Sequence, residues 1–476
     1  MNLIVNIKQF FSGLKRICGR DTLIGKTFSF IKRHLPNPNA KGYIAVFVLV
    51  LGAAAYIRFW AAPLSAGVDV PQFWAFAKIF EQYGLDFYRF AGATLKIFPV
   101  GGWAYVYPPM WLLILRLALL AAPGSTAQTE MVSDSWRLAM KTPIITADLA
   151  IGCLLFWAIP GSKLKKLIFA SLWLLHPTAW YNSALFGQFD AIAAVLLLAS
   201  VILLERGHDK WAFLLAALAV LTKQHVFIPV ALIIVVCIRK LGWRRLAIDC
   251  AIFVGVVIAF SIPFVITGNF IDYAHSVFLP GLMPDYQTPL MYAFNGSSAL
   301  LTYFHLYFGW NTFGYFGYYI PALIIAGLAT LVLSYRRNIT ISQAALVGFL
   351  IFICFNYRIN YQYLVIYIPL ALWVAATTRY RFEKIFAIVM ALVPAVWIWM
   401  FNDAFWFYYA EPYHLEGVKI LERLGMYNSN APDWAYVTLS MVLMGLYLAY
   451  IILVFIKWRK RPESSLLPPP SPLLPG

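Results

Sequence analysis

Long apolar segments recur along almost the whole chain, and they constrain the fold more than any other feature. A bilayer core of about 30 Å needs an apolar helix of about 20 residues. The sequence therefore predicts an all-α polytopic membrane protein with about 12 transmembrane helices. The predicted spans are 42–62, 142–160, 167–182, 190–205, 211–222, 225–238, 246–267, 313–334, 340–356, 360–378, 385–402 and 434–456.

The composition agrees with a membrane protein and argues against a nucleic-acid partner. Hydrophobic residues make up 62% of the chain and charged residues only 12%, against roughly 25% charged residues in soluble proteins. The 37 Lys and Arg exceed the 20 Asp and Glu by a net charge of +17. In a polytopic protein such an excess indicates cytoplasmic loops that face anionic lipid. The five cysteines have no paired spacing, so we expect no disulfide.

The basic clusters predict the orientation of the spans. The segment 108–122 is apolar but short, and Arg116 interrupts it. If this segment does not span, all the basic clusters between spans fall on one side of the membrane, which the positive-inside rule assigns to the cytoplasm. Both chain ends are then cytoplasmic, and 108–122 becomes an interfacial helix on the outer face. The clusters are 163–166, Arg206 with Lys210, 239–245, Arg336 with Arg337, 379–384 and 457–461.

This orientation divides the chain into three parts. The sequence predicts that residues 1–41 form a basic, amphipathic cytoplasmic arm. It predicts that residues 457–476 form a Pro-rich cytoplasmic tail. Residues 42–456 form the transmembrane domain. Its outer face carries a long first loop with juxtamembrane helices, a second long loop and a last loop, which are 63–141, 268–312 and 403–433.

Polar residues collect at the predicted outer ends of the spans. Asp69 precedes an apolar helical stripe in the first loop, where it is either a helix cap or a general base beside a membrane cavity. In "NSALFGQFDA" (182–191), Gly187 predicts a bend, and Asp190 either caps the next span or forms part of a site. Lys223 and Arg358 either bind an anion such as phosphate or extend towards lipid headgroups, because an isolated cation there loses hydration.

Several of these stretches together resemble the GT-C superfamily of polytopic glycosyltransferases. Asp69 shortly after the first span matches the usual position of the family's catalytic base. The turn "NSALFGQFDA" is similar to a recurrent turn of mannosyltransferase-like members. The other matching stretches are "VYPPMW" (106–111), "LTKQHVF" (221–227) and "RINYQYLVIYIPLAL" (358–372).

The resemblance implies transfer of a hexose, with mannose favoured, from a polyprenyl-phosphate carrier to a hydroxyl acceptor. Asp69 would be the general base, and the reaction would invert the anomeric carbon on the outer or lumenal face. A single Asp69 in place of an acidic pair gives no indication of a metal, and no cofactor is expected. The expected partners are the lipid-phosphate sugar donor, a glycan or glycolipid acceptor and membrane lipid. The expected substrate-binding residues are Gln188, Asp190, Lys223, Gln224, His225, Arg358, Tyr361 and Gln362.

Two other classes of protein use similar polytopic chains. A transporter or lipid flippase would carry broken helices and ionisable residues at mid-membrane in paired halves. The polar residues here lie instead at the predicted outer ends of the spans, which favours a one-sided active site. A polymerase or ligase of surface glycans would need a large late outer loop with essential Arg and His, and 403–433 fits this pattern poorly.

Overall fold

The computed structural model describes residues 40–67, 69–93, 105–126, 132–268, 270–278, 296–357, 359–400 and 432–456. These residues form helices joined by short turns, and they contain no β-strand. The all-α class predicted from the apolar segments is therefore confirmed. The basic arm, the tail and nearly all of the predicted last outer loop lie outside the described residues.

The α-helices fall into a first set before the middle of the chain and a second set after it. The first set is α1 (Ala40–Ala61), α2 (Asp69–Tyr83), α3 (Pro109–Ala121), α4 (Asp134–Ala158), α5 (Lys163–Leu174), α6 (Pro177–Trp180), α7 (Asp190–Glu205), α8 (Asp209–Thr222) and α9 (Phe227–Leu241). The second set is α10 (Trp243–Thr267), α11 (Phe270–Phe278), α12 (Ser297–Phe308), α13 (Tyr319–Arg336), α14 (Ile341–Phe355), α15 (Leu364–Thr377), α16 (Arg381–Met400) and α17 (Asp433–Ile456).

Short helices of other types connect several of these elements. The segment Tyr181–Phe186 is a π-helix. The 3₁₀-helices are Ala62–Leu64, Gly84–Ala93, Gln224–Val226, Phe313–Tyr318 and Tyr361–Tyr363. Two compact units divide the chain between Leu49 and Val50, and the residues of the candidate site described below belong to the second unit.

Helical structure is present over each of the predicted spans. Six described helical segments are long and apolar enough to cross a membrane: Lys41–Leu64, Asp134–Ala158, Gln224–Leu241, Trp243–Thr267, Gly314–Arg336 and Asp433–Ile456. The chain is thus an integral membrane protein, while the total of about 12 spans stays a prediction. The predicted span 167–182 is not one continuous helix. The chain leaves the helix after Leu174 because Pro177 disfavours helical backbone at His176.

Three short helices form the centre of the second unit. Nearly all side chains of α14 and α15 are buried, and most of those of α7 are too. By contrast, α10 and α13 expose rows of large apolar side chains, such as Ile258, Ile262 and Ile266 on α10. Exposed apolar rows of this size suit a lipid environment rather than water. The peripheral helices therefore present the lipid-facing surface, and α7, α14 and α15 form the packed interior.

The predicted juxtamembrane helices of the first loop are present as α2 and α3. The predicted apolar stripe of α2 is buried: Phe73 and Phe76 are at most 1% exposed. Phe73 packs edge-on against Trp111 of α3, with ring centroids 5.2 Å apart. Phe76 contacts Tyr105 in the same manner at 5.0 Å. These aromatic contacts attach the loop helices to each other and place Asp69, the first residue of α2, beside the bundle.

Candidate functional site

A polar cluster forms where the first loop meets the turn after the π-helix. The side chain of Asp69 accepts a hydrogen bond from the Gln188 amide at its Oδ2 atom. Asp69 is 6% exposed and Gln188 is 1% exposed, so the carboxylate is held in a largely dry environment. The structure thus brings together two of the predicted site residues that are 119 positions apart in the sequence.

Backbone hydrogen bonds build the turn that carries Gln188. The amides of Gly187 and Gln188 both donate to the Asn182 carbonyl, at 2.9 Å. Asn182 in turn donates from its side chain to the Thr178 carbonyl at 2.8 Å. Gly187 has a φ of +84°, which glycine adopts without a steric penalty. The bend predicted at Gly187 is confirmed, and the chain reverses direction there towards α7.

Of the two roles considered for Asp190, the helix cap is excluded, because another residue occupies the cap position. Phe189 is the N-cap of α7, and its side chain makes no capping bond. Asp190 lies in the first helical turn and is fully buried. Its carboxylate is therefore free of the capping role and points to a different partner.

That partner is Lys223, the residue that ends α8. Lys223 Nζ lies 3.2 Å from Asp190 Oδ2, and both side chains are 1% exposed. The contact is an ion pair without hydrogen-bond angles, so both Asp190 oxygens and the ammonium have no hydrogen-bond partner among the described residues. A buried pair with unused donors and acceptors is costly for the empty protein. The arrangement therefore leaves hydrogen-bonding capacity for a polar ligand.

Three aromatic rings surround the Lys223 ammonium. The ring centroids of Phe189, Tyr107 and Tyr363 lie 4.1, 4.9 and 5.6 Å from Nζ. Ring faces attract a cation, and the attraction is stronger where water is excluded. Lys223 is thus held at one place by the rings, with Asp190 beside it. This contradicts the alternative in which Lys223 extends to lipid headgroups.

Tyr107 is a candidate site residue that the sequence did not single out. Burial raises the pKa of Tyr107 well above its ordinary value, and the negative charges of Asp69 and Asp190 raise it further. Its phenol therefore stays protonated and can donate a hydrogen bond. The only sequence signal for Tyr107 was its place in the "VYPPMW" stretch. Because the chain has 28 tyrosines, one tyrosine in that stretch is not distinctive.

Gln224 and His225 support the cluster from the turn after Lys223. The Gln224 side chain donates to the Val106 carbonyl at 2.8 Å, which holds the backbone beside Tyr107. His225 stacks on Phe352, with centroids 4.7 Å apart, and meets Tyr363 edge-on. Its Nε2 atom has no hydrogen-bond partner in the described part of the chain. His225 packs at the edge of the cluster, and its contact with substrate stays a prediction.

Three predicted site residues precede α15, and they are Arg358, Tyr361 and Gln362. The Tyr361 ring packs between Tyr181 and Phe186, with centroids 5.4 Å from each. Gln362 is buried at 6% exposure. Arg358 lies outside the described residues, so its phosphate contact stays a prediction.

Lys141 is the main structural residue that sequence reasoning missed. Its buried ammonium lies 2.7 to 3.0 Å from four backbone carbonyls, and at least one of its three N–H groups is shared between two of them. Two carbonyls belong to the first loop, at Ala62 and Ser65, and two belong to the π-helix, at Ala184 and Leu185. Lys141 therefore links the segment before Asp69 to the segment before Gln188.

A second buried network holds the Arg58 side chain inside the bundle. Arg58 Nε donates to Asp148 Oδ2 at 2.7 Å, and both side chains are at most 1% exposed. Ser183 of the turn also donates to Asp148 Oδ2, at 2.6 Å. Asp148 is thus paired within the bundle with both Arg58 and Ser183. Because its guanidinium is occupied, Arg58 neither binds substrate nor reaches the headgroups.

Among the described residues, no group of three or more His, Cys, Asp or Glu side chains lies close enough to hold a metal. The cluster offers a carboxylate, a cation surrounded by aromatic rings, and hydrogen-bond donors from a phenol and an amide. The expectation that no metal is required stays a prediction.

We expect the substitution Gly187→Ala to lower both stability and activity. The positive φ costs about 1–2 kcal/mol for an L side chain. The new Cβ would also lie 2.8 Å from a Val70 methyl and 3.0 Å from Lys141 Cε. Relief of this overlap shifts Gln188 away from Asp69. Thermal denaturation of purified protein in detergent and a transfer assay would measure the two effects.

Gly207→Ala is the matched control, because Gly207 has a φ of +80° but open space around the added Cβ. It should show only the cost of the backbone conformation. Equal losses in the two variants would contradict the proposed crowding at Gly187.

Comparisons with known proteins give one family match. The model of glycosyltransferase family 87 matches residues 105–356, which is more than half of the chain. No curated protein matches the sequence. Among solved structures, ArnT from Cupriavidus metallidurans in the apo state aligns with a TM-score of 0.43 and 15% identity, over 87% of this chain and 77% of that one.

Proposed function

Since the chain belongs to glycosyltransferase family 87, we propose that it transfers a hexose from a polyprenyl-phosphate carrier to a hydroxyl acceptor. The membrane glycosyltransferase that the GT-C resemblance implied is confirmed by this family match. The sugar, the carrier and the residues that act on them belong to the proposal. Mannose is the hexose favoured by the resemblance of "NSALFGQFDA" to mannosyltransferase-like proteins.

The observation that carries the proposal is the placement of a carboxylate and a cation on the two sides of one turn. Gln188 binds Asp69, and Asp190, two residues later, contacts Lys223. A transferase of this type needs a base for the acceptor hydroxyl and a positive charge for the leaving phosphate. Both groups are buried, and electrostatic interactions are stronger there than in water.

In the proposed reaction, Asp69 removes the proton from the acceptor hydroxyl. The acceptor oxygen forms a bond to the anomeric carbon as the bond from that carbon to the carrier phosphate breaks. The electron pair of the broken bond leaves with the polyprenyl phosphate, whose charge Lys223 stabilises together with Arg358. Attack from the opposite face inverts the anomeric carbon, so a β-linked mannosyl phosphate gives an α-mannoside.

The other polar groups position the reactants in this scheme. Gln188 orients the Asp69 carboxylate towards the acceptor hydroxyl. The protonated Tyr107 phenol donates to the phosphate or the sugar near Lys223. The reaction takes place on the outer or lumenal face, where the predicted orientation puts this end of the bundle.

The test is an assay of purified protein in lipid with synthetic polyprenyl-phosphate mannose and candidate acceptors. In this assay, Lys223→Met should lower kcat/KM for the donor by about 10–100-fold, which corresponds to the loss of one charge-assisted hydrogen bond. Lys78→Met is the control, because Lys78 is an exposed loop lysine that pairs with Glu81.

Activity with a nucleotide sugar and none with any lipid-phosphate hexose would contradict the proposed donor. Full donor turnover in Lys223→Met would contradict the phosphate role of the lysine.

A further inference from the structure

A cavity lies at the other end of α7 and α8 from the Asp190–Lys223 pair. It has a volume of about 300 Å³, and it is lined by the α7–α8 turn, the first turn of α8 and the first two turns of α10. Because α8 has 14 residues, its two ends are about 21 Å apart. The cavity is therefore separate from the site that holds Asp69 and Lys223.

Two buried carboxylates line one wall of this cavity. Asp209 is 3% exposed and Asp249 is 1% exposed. Asp209 Oδ1 and Asp249 Oδ2 receive no hydrogen bond from the described residues, while Asp209 Oδ2 belongs to an ion pair with Arg245. Buried carboxylate oxygens without a partner are costly unless a donor reaches them. A primary ammonium has three N–H donors, which is enough to serve both of these oxygens.

A basic side chain, that of Arg245, lines the same cavity beside the two acids. Arg245 Nη2 is 2.5 Å from Asp209 Oδ2, in an ion pair that leaves the arginine side chain 58% exposed. Lys210 also lines the cavity. The first turns of α8 and α10 meet here, and the amino-terminal ends of helices favour anions. The cavity thus offers adjacent sites for a phosphate and for an ammonium group.

The rim of the cavity is apolar and exposed. Trp211 is 62% exposed and Ile248 is 56% exposed. Tryptophan is enriched at the level of lipid headgroups, where one part of the ring contacts acyl chains and its N–H contacts water. These exposed apolar side chains suit a ligand that carries an apolar portion next to a polar head.

We propose that this cavity binds the headgroup of an ethanolamine phospholipid, with the ammonium at Asp209 and Asp249 and the phosphate at Arg245. Two other common headgroups fit this cavity less well. A choline headgroup has no N–H donors for the carboxylates, and a glycerol headgroup has no positive charge. The site anchors the protein to one class of lipid at the end of the bundle opposite the glycosyl-transfer site.

Native mass spectrometry of the full-length protein, delipidated in detergent, tests this proposal. The added lipids are phosphatidylethanolamine, phosphatidylcholine and phosphatidylglycerol with the same acyl chains. Wild type should bind phosphatidylethanolamine about tenfold better than phosphatidylcholine, as expected for lost hydrogen bonds to a charged group. Asp249→Asn should remove this preference, and Asp134→Asn, an exposed acid on α4, should keep it.

Arg245→Gln provides a second variant that does not depend on a buried residue. It should weaken phosphatidylethanolamine and phosphatidylglycerol alike, because both carry the phosphate. Excess phosphoethanolamine should compete with the lipid only weakly, since it lacks acyl chains. The proposal would be overturned if wild type bound the three lipids equally, or if Asp249→Asn kept the preference. It would also be overturned if phosphoethanolamine bound as tightly as the lipid.

Discussion

Replacement of Asp69 by asparagine is expected to lower the rate of sugar transfer by about 10²–10⁴-fold, which is the usual contribution of a general base. Asparagine keeps the size of the side chain and removes its ability to accept a proton. The Gln188 amide can turn so that its Oε1 atom accepts a hydrogen bond from the new amide. That oxygen has no hydrogen-bond partner among the described residues, so the rotation sacrifices no described contact.

The measurement is the transfer rate of wild type and of Asp69→Asn over a range of pH. In wild type the rate should rise with pH as the base loses its proton, and the variant should lack this rise. A residue with a merely structural role would change the rate without removing the pH dependence. Thermal denaturation of both proteins would show that the fold is retained.

Asp190→Asn is the matched comparison, because Asp190 is the other buried acid of the site and contacts Lys223. If Asp69→Asn kept its activity and Asp190→Asn lost it, the two roles would have to be exchanged. Asp134→Asn, at an exposed position on α4, should leave transfer unchanged.

Replacement of Lys141 by methionine is expected to cost about 3–5 kcal/mol in the free energy of unfolding and to abolish transfer. Methionine has a similar length but no donor, so four carbonyls lose the ammonium that joins them. The segments before Asp69 and before Gln188 then lose a shared attachment. Two hydrogen bonds still join these segments among the described residues, from Ser65 Oγ to the Leu185 carbonyl at 2.7 Å and from the Gly67 amide to the Phe186 carbonyl at 3.1 Å.

Lys165→Met is the control for this variant. Lys165 also donates to a backbone carbonyl, that of Pro160 at 3.0 Å, but it does so at an exposed position where water replaces the lost donor. Denaturation in detergent would measure stability, and the transfer assay would measure function. A Lys141→Met protein as stable and active as Lys165→Met would contradict the role given to the four-carbonyl contact.

The sequence anticipated a large part of the candidate site because several of its residues are close together in one turn. Gly187 marked the bend, and Gln188 and Asp190 were placed on either side of it. Asp190 and Lys223 were both among the expected substrate-binding residues, at neighbouring predicted span ends. Only their meeting in space, at 3.2 Å, needed the structure.

Other parts of the site could not be predicted for a clear physical reason. Arg58 had the sequence context of a residue that reaches the headgroups, yet it is buried against Asp148, 90 positions away. Tyr107 becomes a donor beside Lys223 only because α3 and α8 pack together. For Arg58 and for Tyr107, the residues adjacent in the sequence do not indicate the partner.

The sequence by itself determined the helical class, the membrane environment and the turn at 182–191. These features depend on the length of apolar segments and on local backbone preferences, which each stretch of chain carries independently. Tertiary structure alone decided which polar groups meet in the interior. Lys141 shows why: it binds backbone carbonyls, and every residue has one, so no side chain in the sequence identifies the partners.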